Sequence, residues 1–368
     1  MDTTSHATEH PIAPSLCAQE RALALMDPIL RPGSSLAPEC PLVFGTEAPG
    51  WVVVTGVEGE DASACAAVVR DVFAEGHRMR CAFLGSVVTS EAHRGQGLAR
   101  HTLATAEARA KESGALLAFL WADDAEVYAG MGWRPAGTEF DFRIDDNQRT
   151  FLPDAEGVRP ATAEDAAAIH ALYCAHDQRV ERTLEEQRCL LEIPGMTTLV
   201  RESEGCVTAY GCVGRGADLQ GVLHEWGGDP VEFLHVLAGH LDLRDDEGLD
   251  EDLVLMVPSG ATGLLEYLGL TRCPGARGVL GLAKILCLDG AADLLRSCLP
   301  DFIDVCVEGA TVRLQRGGKR ISLDEESLLD LLLPAAGEGR AQRKVERRLG
   351  VPFTGVPLAP FVWGLDSI

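Results

Sequence analysis

Aromatic residues are scarce in this chain: five Trp, four Tyr and eleven Phe make up 5% of its 368 residues. A tyrosine or tryptophan beside a polar motif therefore stands out. Positive charge is also in short supply, with 32 Lys plus Arg against 56 Asp plus Glu and a formal net charge of −24. That shortage excludes a general nucleic-acid binder, which needs a concentrated basic surface to meet phosphate. It leaves room for a small cation such as an amine. No apolar run approaches the roughly 20 residues a membrane helix needs, so no membrane association is expected. The opening MDTTSHATEHPIAP has no apolar signal-peptide core. The twelve cysteines form no C-x-x-C pair and no Cys/His cluster of zinc spacing. His235 and His240 are five apart on a predicted helix, off any shared face, so no metal is expected. The thiols read as small core hydrophobes of a reducing, cytoplasmic setting.

At about 100–200 residues per domain, the length allows two or three domains. Strands dominate from Trp51: WVVVTGV, SACAAVVRDVF and HRMRCAFLGSVVT, separated by Gly, Asp and Glu turns. A helix over Gly97–Ser113, a strand over Ala115–Trp121, a short helix at Asp124–Met131 and a strand at Thr138–Ile144 follow. This is an α+β, or mixed α/β, pattern. Asp145–Gly157 reads as a linker, after which a similar order restarts, suggesting a diverged structural duplication. Thr162 and Asp165 form a predicted capping box. Pro230–Leu243 reads as a helix, Arg244–Asp252 as an acidic loop and Leu280–Leu288 as a buried strand. Beyond it, a hairpin turns at Gly317-Gly318, Asp324 caps a helix over Glu325–Leu333, and Gly337–Arg348 is basic and polar.

The chemistry concentrates in Leu84–Arg100. A β-branched strand ends at Thr89, and Arg94-Gly95-Gln96-Gly97-Leu98-Ala99 opens a helix. Small residues let the backbone approach a ligand, and free N–H groups at a helix start can hold a pyrophosphate. Neither a G-x-G-x-x-G fingerprint nor a P-loop is present. The segment resembles the acyl-CoA site of the GCN5-related N-acetyltransferase (GNAT) superfamily, whose pattern is [QR]-x-x-G-x-[GA]: Arg94, Gly97 and Ala99 match it position for position. In LLAFLWADDAEVYAGMGW, Tyr128 stands for the family's frequent tyrosine and Gly132-Trp133 for its Gly-Phe. The resemblance covers Pro41–Arg143 well. It implies that Val87 and Val88 offer backbone groups to a pantetheine chain, and that Arg94, Gly95, Gln96, Gly97, Leu98 and Ala99 bind acetyl-CoA as co-substrate.

Acyl transfer from a thioester to an amine needs a held carbonyl, a neutral amine and a proton for the departing thiolate. Tyr128 is the candidate general acid, since a phenol's pKa near 10 suits a thiol's near 8.5. The backbone N–H of Val88 is the candidate to polarise the carbonyl. No base declares itself in the first motif; Asp123 and Asp124 suit a helix N-cap as well. The three-part order resembles the Eis-type aminoglycoside and lysine acetyltransferases. Those join a catalytic GNAT domain, a degenerate second one and a small sterol-carrier-like (SCP2-like) α/β C-terminal domain. The resemblance implies that a chain-terminal carboxylate, here that of Ile368, lies in the catalytic pocket; the subfamily usually ends in an aromatic, whereas this sequence reads Asp-Ser-Ile.

The expected domains are therefore 1–150, catalytic; 151–280, a silent second GNAT-like unit; and 281–368, sterol-carrier-like with a docked tail. In the second unit Leu223–Asp229 replaces the phosphate motif and carries Glu225 and Asp229, either of which could face a cationic acceptor. The basic run Arg340–Arg348 reads as a surface, or as a contact to the cofactor's nucleotide phosphate. Arg94, Arg100, Arg109 and Lys111 suggest a local positive pocket for CoA. The expected function is acetyl-CoA-dependent N-acetyl transfer to a small-molecule primary amine, with no nucleic-acid partner; a homo-oligomer stays open. The alternative is a non-catalytic acyl-CoA- or lipid-binding sensor.

Overall fold

The computed structural model describes residues 8–10, 16–248 and 252–368. The chain begins with β1 (Thr8–His10), α1 (Leu16–Leu30) and α2 (Pro41–Phe44), then β2 (Trp51–Val57), β3 (Glu60–Ala74) and β4 (His77–Thr89). Next come α3 (Leu98–Glu112), β5 (Leu117–Leu120), α4 (Glu126–Ala129) and β6 (Arg134–Ala136). Side chains alternate across these strands, so both faces of the sheet are apolar and both are covered. Val52, Val54, Ala64 and Ala66 pack with Ala18, Ala22 and Met26 of α1. Trp51, Val53, Cys65, Ala67 and Leu84 pack with Leu103, Ala106 and Ala110 of α3.

The order then repeats, through β7 (Glu139–Ile144), α5 (Asp146–Arg149), β8 (Val158–Pro160), α6 (Ala166–Cys174), β9 (Arg179–Val180) and α7 (Leu184–Leu191). It continues with β10 (Thr197–Ser203), β11 (Cys206–Arg215), β12 (Asp218–Gly228), α8 (Pro230–Glu247), β13 (Leu253–Pro258), α9 (Thr262–Leu270), β14 (Gly275–Gly278) and β15 (Gly281–Ile285). The main sheets run β1-β2-β3-β4-β5-β15-β6 and β14-β7-β13-β12-β11-β10-β8. Each main sheet thus takes in a strand from beyond its own stretch of chain: β15 lies antiparallel between β5 and β6, and β7 between β13 and β14. In addition β9 pairs with Val72 and Phe73 of β3.

The last part holds α10 (Leu288–Cys298), the meander β16 (Asp304–Glu308), β17 (Thr311–Arg316) and β18 (Lys319–Leu323), then α11 (Glu325–Leu332) and α12 (Arg340–Leu349). The Thr162–Asp165 capping box, the Asp324 cap and the Gly317 hairpin are all present. Three segments differ from expectation. The linker Asp145–Gly157 carries the short helix α5. The helix α8 continues through Glu247, so Arg244–Glu247 are helical. The basic run is helical, because Ala341, Val345 and Leu349, four apart, are buried on one side of α12. Finally the tail returns to the two main sheets: Phe361 and Trp363 are fully buried, and the Trp363 ring lies against His176, Trp226 and Phe361.

Candidate active site

The site is built on the far end of β4. This strand pairs in parallel with β5 only at Cys81, Ala82 and Phe83, yet runs on to Thr89. From Leu84 onward its β5 side has no strand partner among the described residues, which leaves backbone groups there for a ligand. On the other side Ala64 faces Val88 and Ala66 faces Gly85. Two residues, Ser86 and Val87, therefore oppose the single Cys65, which is a β-bulge. Ser86 takes the left-handed backbone the bulge requires, with φ of 50°. The extra residue resets the faces: Val87 packs on the α3 side with Tyr128, and Val88 on the α1 side with Ile368.

After β4 the chain turns into α3 through the Gly-rich loop. Gly95 and Gly97 have φ of +76° and +80°, and a Cβ at either would meet nothing within 4 Å. Glycine is needed here for the backbone, not for space. Gly97 is the N-cap and supplies no side-chain acceptor, so the first N–H groups of α3 have no side-chain cap. Arg94, Gly95, Gln96 and Gly97 are exposed, Leu98 is buried and Ala99 half-buried. Arg94 Nε lies 3.4 Å from the Thr89 carbonyl. An open, uncapped, N–H-rich helix start beside one guanidinium fits a pyrophosphate, so these residues fit the anionic end of acetyl-CoA.

Tyr128 sits on α4, whose N-cap is Ala125. Just ahead of it Asp124 accepts from the Glu126 N–H at 3.0 Å, a local turn contact. Burial, then the nearby Cys65, raises the phenol above its ordinary value, so it keeps its proton. The Cys65 thiol is fully buried and pushed up to about 12 by that burial, which makes it no nucleophile.

The tail enters from the opposite face. At Gly85 a Cβ would collide with the backbone carbonyl of Ile368. Arg215 Nη2 donates to the Ser367 carbonyl at 2.7 Å. Asp366 is buried against Arg182, whose Nε and Nη2 reach its two oxygens at 2.7 Å each. Gly85, Ser86, Arg182 and Arg215 escaped the sequence reading. Gly85 inside an apolar strand was the available signal of a close backbone approach; for the two arginines there was none.

Several expected roles change. Glu225 does not face an acceptor: it is fully buried and bound to Arg182 at 3.0 and 2.7 Å. Asp229 caps α8 by accepting from the Val231 N–H. The positive pocket shrinks to Arg94 and Arg100. Arg109 is twelve residues beyond Gly97, or about 18 Å along the helix, and its guanidinium lies over the Trp51 ring. On the same helix Glu107 is bound to Lys284. Arg340 and Lys344 border a groove of about 680 Å³ together with Asp324, Glu326, Asp330 and Glu338. Of that run, Arg340 is paired with Glu338. His240 is buried with Nε2 against the Gly211 carbonyl, and His235 Nδ1 contacts that of Asp154.

Residues 45–136 match the family model described as an acetyltransferase (GNAT) domain. No curated protein matches the chain. Among solved structures, the chain is similar to a GCN5-related N-acetyltransferase from Kribbella flavida, with 13% identity and a TM-score of 0.63 over 98% of this chain and all of that one. It is similar at 13% identity and TM-score 0.68 to a conserved protein of Enterococcus faecalis V583 described as a probable N-acyltransferase, covering 98% and 99% of the two chains. Eis1 of Mycobacterium abscessus aligns over 86% of this chain and 84% of its own, at 16% identity and TM-score 0.55. At such identities the likeness shows the fold: mixed α/β, with tandem GNAT-like units.

Proposed function

We propose that this chain is an acetyl-CoA-dependent N-acetyltransferase that passes the acetyl group directly to a primary amine in a ternary complex. The acceptor is an aminoglycoside-, polyamine- or lysine-like cation, in keeping with the net charge of −24. One observation carries the reading: β4 leaves β5 after Phe83 and delivers a free strand edge into an uncapped, Gly-shaped helix start. In this reading Arg94, Gly95, Gln96, Gly97, Leu98 and Ala99 hold the pyrophosphate end, and Val87 and Val88 line the pantetheine arm. Bound acetyl-CoA supplies the thioester carbonyl. The phenolic oxygen of Tyr128 holds the proton for the departing sulfur, and the β4 backbone at Val87 and Val88 orients the carbonyl. In the 368-residue chain the carboxylate of Ile368 receives the proton of the amine. Direct transfer suits a site whose nearby thiol, Cys65, stays protonated.

The same reading takes the arrangement as Eis-like, divided in sequence at residues 150 and 280, with catalysis in the first unit. The last part, the three-stranded meander with α10 to α12, is read as sterol-carrier-like. Eleven cysteines among the described residues are free thiols, which supports a cytoplasmic setting. Among the described residues no helix is long and apolar enough to cross a membrane. The test is a thiol-release screen with acetyl-CoA over polyamines, aminoglycosides and lysine peptides. Turnover with one class identifies the acceptor. Binding of acetyl-CoA with no turnover on any amine would transfer the case to a sensor, and absence of binding would end both readings.

A further inference from the structure

The second unit has no phosphate loop, yet it buries a costly group. Arg182 is the hub. Its guanidinium has no exposed side-chain area, and neither has Glu225. It reaches Asp366 through Nε and Nη2 at 2.7 Å each, Glu225 through Nη1 and Nη2 at 3.0 and 2.7 Å, and Gln187 at 3.1 Å. Tyr173 donates to Asp366 at 2.9 Å and Tyr210 to Glu225 at 3.1 Å. The Tyr173 ring lies 3.9 Å from the guanidinium carbon. All these partners except Asp366 belong to the second unit; Asp366 belongs to the tail, 184 residues away in sequence.

A buried ion pair is a poor device for stability alone, since apolar residues of equal volume often do as well or better. Two carboxylates around one guanidinium also leave one negative charge in excess. What such a cluster does well is fix a unique register. Here it fixes the segment whose last residue lies against the β4 bulge at Gly85. Arg215, also of the second unit, adds the contact to the Ser367 carbonyl at 2.7 Å. Cluster and bulge are bridged by two residues, too few to reach the bulge unless Asp366 is held in place.

We propose that Arg182 is a positioning residue for acyl transfer: through Asp366 it holds Ser367–Ile368 at the transfer site on β4, so the second unit serves as the clamp for the tail. This rests on the transferase reading above. Arg182→Met would leave two buried carboxylates unpaired and is expected to unfold the protein, so the informative variant is Asp366→Asn. It keeps the shape, leaves the Arg182–Glu225 pair neutral, and loses the charged hydrogen bonds to the tail. Arg215→Met provides the second test through Ser367.

Two readouts separate the clamp from the activity. Carboxypeptidase release of Ile368 from the full chain, followed by intact mass, reports tail docking and needs no turnover. We expect it to be slow in the wild type and about tenfold or more faster in Asp366→Asn, the worth of a lost charge-assisted bond. The kcat with an active amine should fall about tenfold or more, as a misplaced group near the chemistry does, while KM and Kd for acetyl-CoA stay within about twofold. Assays run well below each variant's melting midpoint, so that a merely structural cluster would lower the midpoint and leave kcat alone. A tail that stays protected in Asp366→Asn overturns the clamp, and so does a freed tail with unchanged kcat. Wild-type protein inactive on every amine would instead sink the transferase reading, while the release rates still decide the clamp.

Discussion

In the proposed transfer a single residue, Tyr128, is the proton donor, and its surroundings set how it can act. Half-buried against Cys65 and Val87, it holds its proton above the ordinary phenol range. A thiolate leaving at neutral pH therefore meets a protonated donor at every working pH. Tyr128→Phe removes the proton and keeps the ring, so packing in the α3-side cluster should survive. We expect kcat to drop about 10²-fold or more, the usual worth of a positioned acid, with acetyl-CoA affinity by calorimetry unchanged. The sign of the pH effect follows from the protonation state: activity needs the neutral phenol, so its alkaline loss belongs above about pH 10. A Tyr128→Phe enzyme as fast as wild type would remove the residue from the mechanism.

At the scale of elements, the sequence showed the parts that are local. β2, β3, β4 and α3 lie where the apolar runs, their bounding turns and the Gly-rich turn put them, because those signals act within a few residues. α12 escaped because seven of its ten residues are polar or charged, and only the spacing of Ala341, Val345 and Leu349 marks its buried side. The placement of β7 and β15 was not legible at all: an apolar strand reads the same whichever sheet completes itself with it. Arg109 drops out of the expected positive pocket because it is near Gly97 in sequence but at the other end of the helix α3. The loop itself can be tested. Gly97→Ala has room for the methyl, but the left-handed backbone at φ +80° resists it by about 1–2 kcal/mol. Relaxing that strain moves the N–H groups at the start of α3. We expect acetyl-CoA to bind about tenfold more weakly, with the KM of the amine unchanged; an unaltered Kd would mean the loop does not hold the cofactor.

Over the whole molecule, buried titratable groups of opposite sense set a stability optimum. Burial lowers His224 and His240 to about 4, so both are neutral in the fold and protonate only on unfolding. Their contribution is fully present above pH 6.5 and is lost as pH falls toward 4, at about 1.4 kcal/mol per pH unit for each. Glu139 goes the other way: burial, with Asp141 nearby, raises it to about 8. Its contribution is present below the ordinary carboxyl range and is lost as pH rises through 8, at about 1.4 kcal/mol per pH unit. Between about pH 4.5 and 6.5 two histidines outweigh one glutamate, and stability rises with pH. Between about 6.5 and 8 the glutamate alone of these three acts, and their summed contribution falls. We therefore expect the urea-unfolding free energy to peak near pH 6.5. Glu139→Gln should flatten the alkaline side, and His224→Gln should make the acid side shallower without moving the alkaline one. A profile flat from pH 5 to 8 in the wild type would show that these groups titrate alike folded and unfolded, against the burial of His224 in β12 and His240 on α8.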